Sequence, residues 1–341
     1  MGEKIVFILG AGFSKPAGAP LVDEFIREAK DIYANGQEEL NELEKRFFGE
    51  VFTYYSDLRK ARTKIKFDID NIEELFSILD INISSSKEQS LGAVRKALIY
   101  LIIKTLDITI NESKYNLYYD FIQRLKGGNY NFSFITFNYD LILERAMENG
   151  SYHYNYCLDL NASSIPLTEK KILKLHGSSN WLLCTNPKCR NLMLLDQKAL
   201  RELYTQGCNK CKKEAIPLLI PPTWNKNIEL DYFRNVWCYA FEELRQANKI
   251  IIIGYSLPET DIYFRDFLTL ALKDNNYLNK IIIVNSDGRV KNKFNLFLEE
   301  NFSRRYFKFI EEAFEVKSEI PKFTTSDLLE HDVYYNWDAW L

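Results

Sequence analysis

The sequence predicts an α/β protein: a doubly wound parallel sheet with a large helical insertion and a small cysteine-rich module. Three observations predict this class. Short apolar runs rich in β-branched and aromatic residues recur at Lys4–Leu9, Phe132–Phe137, Lys171–Leu175, Lys249–Ile253 and Lys280–Val284, as expected of strands covered on both faces. Most of these runs are separated by stretches of helical periodicity, the alternation that builds α/β sheets. Each run is followed by small or polar residues, and in an open α/β sheet such residues collect along one ligand-binding edge.

The helices follow in chain order. Leu21–Ala34 carries Leu21, Val22, Phe25, Ile26, Ala29 and Ile32 on one stripe, which is helical spacing. Glu38 to Arg62 is a long charged amphipathic segment. Asp70 followed by Glu73 has the spacing of a capping box ahead of the apolar run Leu75–Leu79. Leu91–Ile110 and Tyr115–Leu125 are further helices. About 120 residues therefore lie between the first two strong strands, far more than an ordinary crossover needs. Residues 35–128 read as a helical insertion within a main domain spanning 1–320. The glycines in 127–129 punctuate its end. The last residues, 321–341, form an acidic, aromatic-rich tail in which Trp337 and Trp340 either pack back on the chain or dock a second subunit.

Composition narrows the function classes. A chain of 341 residues with 46% hydrophobic and 27% charged residues fits one large domain with insertions, or two domains. The net charge of −3 gives no strong direct nucleic-acid signal. The longest apolar stretch, Ala97–Ile110, is broken by Lys104 and Asp107, and is too short and too charged to span a bilayer. With no signal-peptide pattern at Met1–Gly10, the expectation is a cytoplasmic protein without membrane contact.

The strand ends hold the candidate chemistry. Gly10, Ala11, Gly12, Phe13 and Ser14 follow the first strand and open a helix, so glycine backbone and free amides could cradle a phosphate. A tight strand-to-helix turn would use the same glycines. Asn138 and Asp140 follow the second strand; either could serve a ligand or brace a turn, and Asp140 could cap a helix over Leu141–Met147. His176, one of only three histidines, follows the third strand and is a candidate general base or a hydrogen-bonded structural histidine. Gly254, Tyr255 and Ser256 follow the fourth strand, and Asn285 the fifth.

Cys184, Cys189, Cys208 and Cys211 cluster within a short span. Two knuckles at this separation suit a zinc ribbon over residues 181–215, with four thiolates around a closed structural Zn2+. Four reduced thiols without metal are the alternative. Cys157 and Cys238 look like ordinary semi-buried thiols.

Taken together, these residues resemble the Sir2 (sirtuin) superfamily. Gly10-Ala11-Gly12-Phe13-Ser14-Lys15-Pro16-Ala17-Gly18-Ala19-Pro20 follows that family's first motif almost throughout. Thr136-Phe137-Asn138-Tyr139-Asp140 matches its second, His176-Gly177 its histidine motif, and a cysteine ribbon follows in the expected place. Gly254-Tyr255-Ser256-Leu257 and Val284-Asn285 match the adenosine side. The resemblance implies a Rossmann-like sheet that binds NAD+. It implies phosphate contacts at Gly12 and Ser14, and a nicotinamide–ribose pocket shaped by Asn138 and Asp140. His176 would be the base, and Gly254, Ser256 and Asn285 would hold the adenosine half.

One departure bears on the reaction. Where deacylating sirtuins carry Asp-Phe-Arg, this chain has Leu21-Val22-Asp23. The run 254–261 and the fragment PPTW beginning at Pro221 are instead similar to the Sir2-like NADases of bacterial antiphage defence. The resemblance to that branch implies an NAD+ glycohydrolase, with Asn138 and His176 catalytic and NAD+ as substrate. It also implies self-assembly into a homo-oligomer, or a separate sensor partner such as a HerA-type ATPase or a short Argonaute. An NAD-dependent protein deacylase and a non-catalytic NAD- or ADP-ribose-binding regulatory subunit are the competing expectations.

Overall fold

The computed structural model describes residues 3–61, 70–86, 88, 90–127, 130–159, 169–195, 207–220, 231–258, 261–298 and 307–314. The PPTW fragment at Pro221 and the 321–341 tail with Trp337 and Trp340 lie outside the described residues. The strands are β1 (Lys4–Leu9), β2 (Asn131–Thr136), β3 (Tyr154–Asn155), β4 (Lys170–Lys174), β5 (Gly177–Cys184), β6 (Leu192–Leu194), β7 (Ala215–Leu219), β8 (Lys249–Ile253), β9 (Lys280–Val284) and β10 (Phe307–Ile310). The helices are α1 (Ala11–Ser14), α2 (Phe25–Asn35), α3 (Glu42–Ala61), α4 (Ile72–Ser85), α5 (Ser90–Thr109), α6 (Asn116–Gly127), α7 (Ile142–Asn149), α8 (Asp231–Arg245), α9 (Ile262–Lys273) and α10 (Arg289–Phe297).

Seven strands pair in the order β10-β9-β8-β1-β2-β4-β3, every pair parallel. β1 is central, and its residues Ile5 to Leu9 are fully buried, which is why five consecutive apolar residues stand there without alternation. From β1 the chain builds one half of the sheet through β2 and β4, then returns to build the other half through β8 and β9. The strand order therefore reverses between β1 and β8, and in open α/β sheets a crevice forms at that switch point. The register keeps the strand ends level: Leu9 lies opposite both Thr136 and Ile253. The ladder continues one residue past each end. Gly10 N–H donates to Ile253 O at 3.0 Å, Phe137 N–H to Leu9 O at 3.1 Å, Leu175 N–H to Thr136 O at 3.0 Å and Gly254 N–H to Val284 O at 2.9 Å.

Two hydrophobic cores flank this edge. The first joins the sheet to α6, where Phe121 meets Phe7 edge-on at 5.4 Å. The second joins α2, α3, α4 and α5, burying Ile26, Phe48, Phe76 and Leu101. A three-stranded antiparallel sheet, β6-β5-β7, adds Leu182, Met193 and Leu219 to that second core. Among the described residues no helix is long and apolar enough to cross a membrane.

Local chemistry shifts several helix starts from the sequence reading. α2 begins at Phe25 rather than Leu21, because the Glu24 carboxylate accepts the Leu21 N–H at 2.9 Å and bonds Lys15, holding the segment in turns. α3 begins at Glu42 rather than Glu38. Asn41 Oδ1 accepts the N–H groups of Leu43 and Glu44 at 3.0 Å, and Glu44 returns a bond to Asn41 N–H at 2.8 Å, a reciprocal cap that fixes the start. The cap of α4 is Asn71 rather than Asp70: its side chain accepts from Glu73 N–H at 2.8 Å and Glu74 N–H at 3.2 Å. Asp70 instead pairs with Lys30 at 3.0 Å.

Candidate functional site

Two glycine turns meet at the switch point. Gly12 N–H donates to Gly254 O at 3.0 Å. A Cβ on Gly10 would sit 2.6 Å from Gly254 O, and one on Gly12 2.7 Å from Gly254 Cα. Gly254 has φ +63°, and a Cβ there would fall 2.3 Å from Phe13 N. Each turn thus excludes a side chain from the other, and Gly254 also needs the left-handed region that glycine enters at no steric cost. Tyr118 secures the first turn from α6: its hydroxyl donates to Phe13 O at 2.9 Å and accepts Ala17 N–H at 3.2 Å. The Phe13 side chain turns away into the core, stacked on Phe314 at 4.8 Å.

Above these turns lies a cavity of about 1000 Å³, large enough for a dinucleotide-sized ligand. Of the residues that the sequence singles out, Gly10, Ala11, Gly12, Ser14, Asn138, Asp140, His176, Gly254, Tyr255, Ser256 and Asn285 all line it, and Phe13 does not. Asn138 Nδ2 donates to Gly10 O at 2.8 Å and to Ser14 Oγ at 2.9 Å. Ser14 Oγ–H in turn donates to Asp140 Oδ2 at 2.7 Å. The other Asp140 oxygen accepts Ile142 N–H at 3.1 Å, so this carboxylate braces the start of α7 and faces the cavity network at once. Behind it, buried Lys174 donates to Asp140 O at 2.5 Å and pairs with Glu144 at 2.8 Å. On the far side, Asn285 Nδ2 donates to Tyr255 O at 3.4 Å, and Asn285 Oδ1 accepts Asp287 N–H at 3.0 Å.

His176 is buried at the end of β4. Phe137 meets its ring edge-on at 5.1 Å and stacks on Tyr255 at 4.3 Å. The Tyr255 hydroxyl donates to Asp261 Oδ2 at 2.9 Å, and Asp261 Oδ1 lies 3.8 Å from His176 Nε2. Tyr139 lies beside them and donates its hydroxyl to Ile220 O at 2.6 Å. Burial, reinforced by the charge of Glu73, pushes both the Tyr139 and Tyr255 phenols up from the usual value, so both remain neutral donors. The cavity thus gathers backbone amides, a carboxamide, a hydroxyl, carboxylates and an imidazole. This set can bind an anion and exchange a proton.

Sequence reasoning missed several polar wall residues, Asn71, Glu73, Lys114, Asn116, Asp261 and Glu312 among them. Asn71 and Glu73 reach the cavity from α4, and Asp261 from the segment before α9. Asp261 follows the Gly254 motif closely enough to have been a candidate. Nothing in the sequence around Asn71 and Glu73 ties them to the strand ends.

The four cysteines converge away from the cavity. Their Sγ atoms all lie within 4.8 Å of one another, with Cys184–Cys211 at 3.3 Å and Cys189–Cys208 at 3.7 Å. Zn–S bonds of about 2.3 Å in a tetrahedron need sulfurs about 3.8 Å apart, so the donor set fits Zn2+. Backbone N–H groups, first that of Cys211, bring the Cys208 thiol down to about 6, whereas burial pushes Cys184 up to about 12. None of the four lines the cavity, which fits a structural pin between β5 and the strands that follow.

A family model described as SIR2-like domain matches residues 133–306, just over half of the chain. No curated protein matches. Solved structures similar to the chain include a Sir2–p53 peptide–NAD+ complex, 16% identical, covering 92% of this chain and 89% of that one with a TM-score of 0.47. A structure of a Sir2 enzyme solved for its mechanism and regulation is 17% identical, covering 92% and 89%, with a TM-score of 0.46. Sir2 bound to acetylated peptide is 14% identical, covering 92% and 89%, with a TM-score of 0.42. With its mostly parallel sheet and the matched segment running from β2 to the approach of β10, the chain belongs to the SIR2-like domain family of the Sir2 superfamily.

Proposed function

We propose that this protein is an NAD+ hydrolase that cleaves the nicotinamide–ribose bond. The observation that carries the reading is the wall of the cavity. Asn71, Ile72 and Glu73 of the α4 start, Ile102 and Leu106 of α5, and Leu21-Val22-Asp23 all line it. On this wall Leu21-Val22-Asp23 stand where deacylating sirtuins carry Asp-Phe-Arg, a departure that supports water rather than an acyl-lysine as the acceptor.

The polar groups suit that reaction. Gly10, Ala11, Gly12 and Ser14 would take the diphosphate, Gly254, Tyr255, Ser256 and Asn285 the adenosine half, and Asp140 the ribose beside Asn138. Loss of nicotinamide leaves an oxocarbenium-like ribose, so the gain comes from orientation and from a base facing the attacking oxygen. The N1–C1′ bond breaks and its electron pair neutralises the departing pyridinium. The water oxygen bonds C1′, and its proton passes to His176 and then to solvent. The products are nicotinamide, ADP-ribose and a proton. The closed Cys184–Cys189–Cys208–Cys211 site would hold Zn2+ as a structural element only. As a depleter of NAD+, the protein would act in the cytoplasm as a defence effector. Its activity would be released by self-assembly or by a partner of the HerA-type ATPase or short Argonaute kind.

The test is mass spectrometry of NAD+ incubated with the purified chain, alone and with its genomic-neighbour proteins. Nicotinamide and ADP-ribose are expected without any acyl-peptide, and Asn138→Ala or His176→Ala should abolish both while leaving the fold intact. Turnover that depends on an acyl-lysine peptide would make the protein a deacylase. NAD+ binding without turnover under every condition would make it a sensor. Activity retained in both variants would overturn the residue roles.

A further inference from the structure

The grouping behind His176 is more specific than a buried histidine requires. Asp261 is 4% exposed and His176 5%, so neither carboxylate nor imidazole is substantially hydrated. Removing a carboxylate from water is costly unless it is hydrogen-bonded or paired. Here Tyr255 Oη–H supplies the hydrogen bond to one oxygen at 2.9 Å, and His176 Nε2 faces the other at 3.8 Å. The Tyr255 ring is itself fixed, stacked on Phe137 at 4.3 Å and edge-on to Phe264 at 5.7 Å, while Phe137 presses on the imidazole at 5.1 Å. Three side chains from three separate segments, Phe137, Tyr255 and Phe264, thus hold one imidazole edge against one carboxylate.

We infer that Asp261 is the positioning residue for His176: an Asp–His dyad, clamped by the Tyr255 hydroxyl, that orients the imidazole and raises its basicity. This rests on the role of His176 in the proposed NAD+ hydrolysis. A contact of 3.8 Å acts through its field rather than as a formed hydrogen bond, and such a separation is common in a base before its substrate binds. When His176 takes the proton of the attacking water, the charge that appears on the ring faces an anion already in place. Other ionisable groups share this environment: Tyr139 beside the ring, Tyr255 behind Asp261, and Glu73 and Asp140 on the cavity wall. All of them remain when Asp261 alone is changed.

The test reads His176 directly, without relying on turnover. The chain has only three histidines, so NMR of histidine-labelled protein, assigned with His176→Asn, follows its titration in the whole chain. Asp261→Asn is expected to lower the His176 titration midpoint by about one pH unit or more. The acid limb of kcat/KM for NAD+ should move by the same amount, with a lower kcat. Asp261→Glu keeps the charge and should recover most of the midpoint. A folded Asp261→Asn protein with an unmoved His176 midpoint overturns the dyad. So does loss of folding in both variants, which would give Asp261 a purely structural role. A shifted midpoint in a wild-type protein that never consumes NAD+ would instead uphold the dyad and overturn the proposed reaction.

Discussion

The buried pair Lys174–Glu144 offers a sharp test of how the site is supported. The two side chains are 1% and 2% exposed and 2.8 Å apart. Lys174 also donates to Asp140 O at 2.5 Å, and Tyr156 Oη–H donates to Glu144 at 3.1 Å. Lys174→Met removes the cation and strands the carboxylate, a change that costs about 3–5 kcal/mol when a buried pair is broken from one side. At an unfolding entropy of about 2.1 cal/mol/K per residue, a chain of 341 residues should lose about 4–7 °C in Tm. Glu144→Leu strands the ammonium and should cost a similar amount. The double variant Lys174→Met/Glu144→Leu leaves no buried charge. It should lose what the orphaned Asp140 carbonyl and Tyr156 hydroxyl cost, about 1–3 kcal/mol each. Denaturant titration of the four proteins closes the cycle. The expected result is a double variant whose loss falls well short of the sum of the singles. A double variant whose loss equals the sum of the singles would show the two groups to be uncoupled and refute the argument. Because Lys174 holds Asp140, the single variant should also loosen the Ser14–Asp140 bond and lower turnover.

Two further outcomes follow from the same kind of accounting. Buried Glu243 lies 3.0 Å from Lys4, 2.5 Å from Lys171 and 2.7 Å from Ser133 Oγ. Burial pushes its carboxyl up, but the two ammonium groups and the hydroxyl outweigh it and hold it below the usual range. Its contribution to stability is therefore complete above about pH 4.3, the value in the unfolded chain, and is lost as the pH falls through the lower folded value. Glu243→Gln should lower stability at neutral pH and flatten that acid limb in denaturant titrations; an unchanged limb would assign it to other carboxylates. For the cysteine cluster, metal analysis should find about one zinc per chain. Its removal by chelation, or Cys208→Ser, should lower Tm, because the β6-β5-β7 sheet contributes Leu182, Met193 and Leu219 to the second core. A fully stable, zinc-free protein would contradict the structural site.

What the sequence disclosed depended on how local each determinant is. β1, β8 and β9 were legible because both of their faces are buried, so Ile5–Leu9, Ile250–Ile253 and Ile281–Val284 are apolar without interruption. Gly10, Gly12 and Gly254 were legible because the interlocked turns tolerate no Cβ. β5 was not, since Ser178, Ser179 and Asn180 are buried polar residues within it and erase the apolar pattern. Asp70 and Asn71 are both good capping residues, and the tertiary contacts of Asp70 with Lys30 and Tyr55 leave Asn71 as the cap. Glu73 was hidden for a different reason: α4 belongs to the second core, and its reach into the cavity depends on how that core meets the sheet edge.

That meeting of two cores gives the cavity two parts under different constraints. The floor of the cavity is backbone and short polar side chains tied together: Gly10, Ser14, Asn138 and Asp140 form one hydrogen-bonded chain anchored on Lys174. A substitution there disturbs several partners at once, so the floor is constrained by its own satisfied network. The opposite wall comes from Leu21–Asp23 and from α4 and α5, whose side chains answer to a separate helical core. If the protein hydrolyses NAD+ as proposed, the floor would hold the dinucleotide and the wall would set which nucleophile reaches it, so substitutions on Leu21–Asp23, α4 and α5 should change the acceptor before they change NAD+ binding.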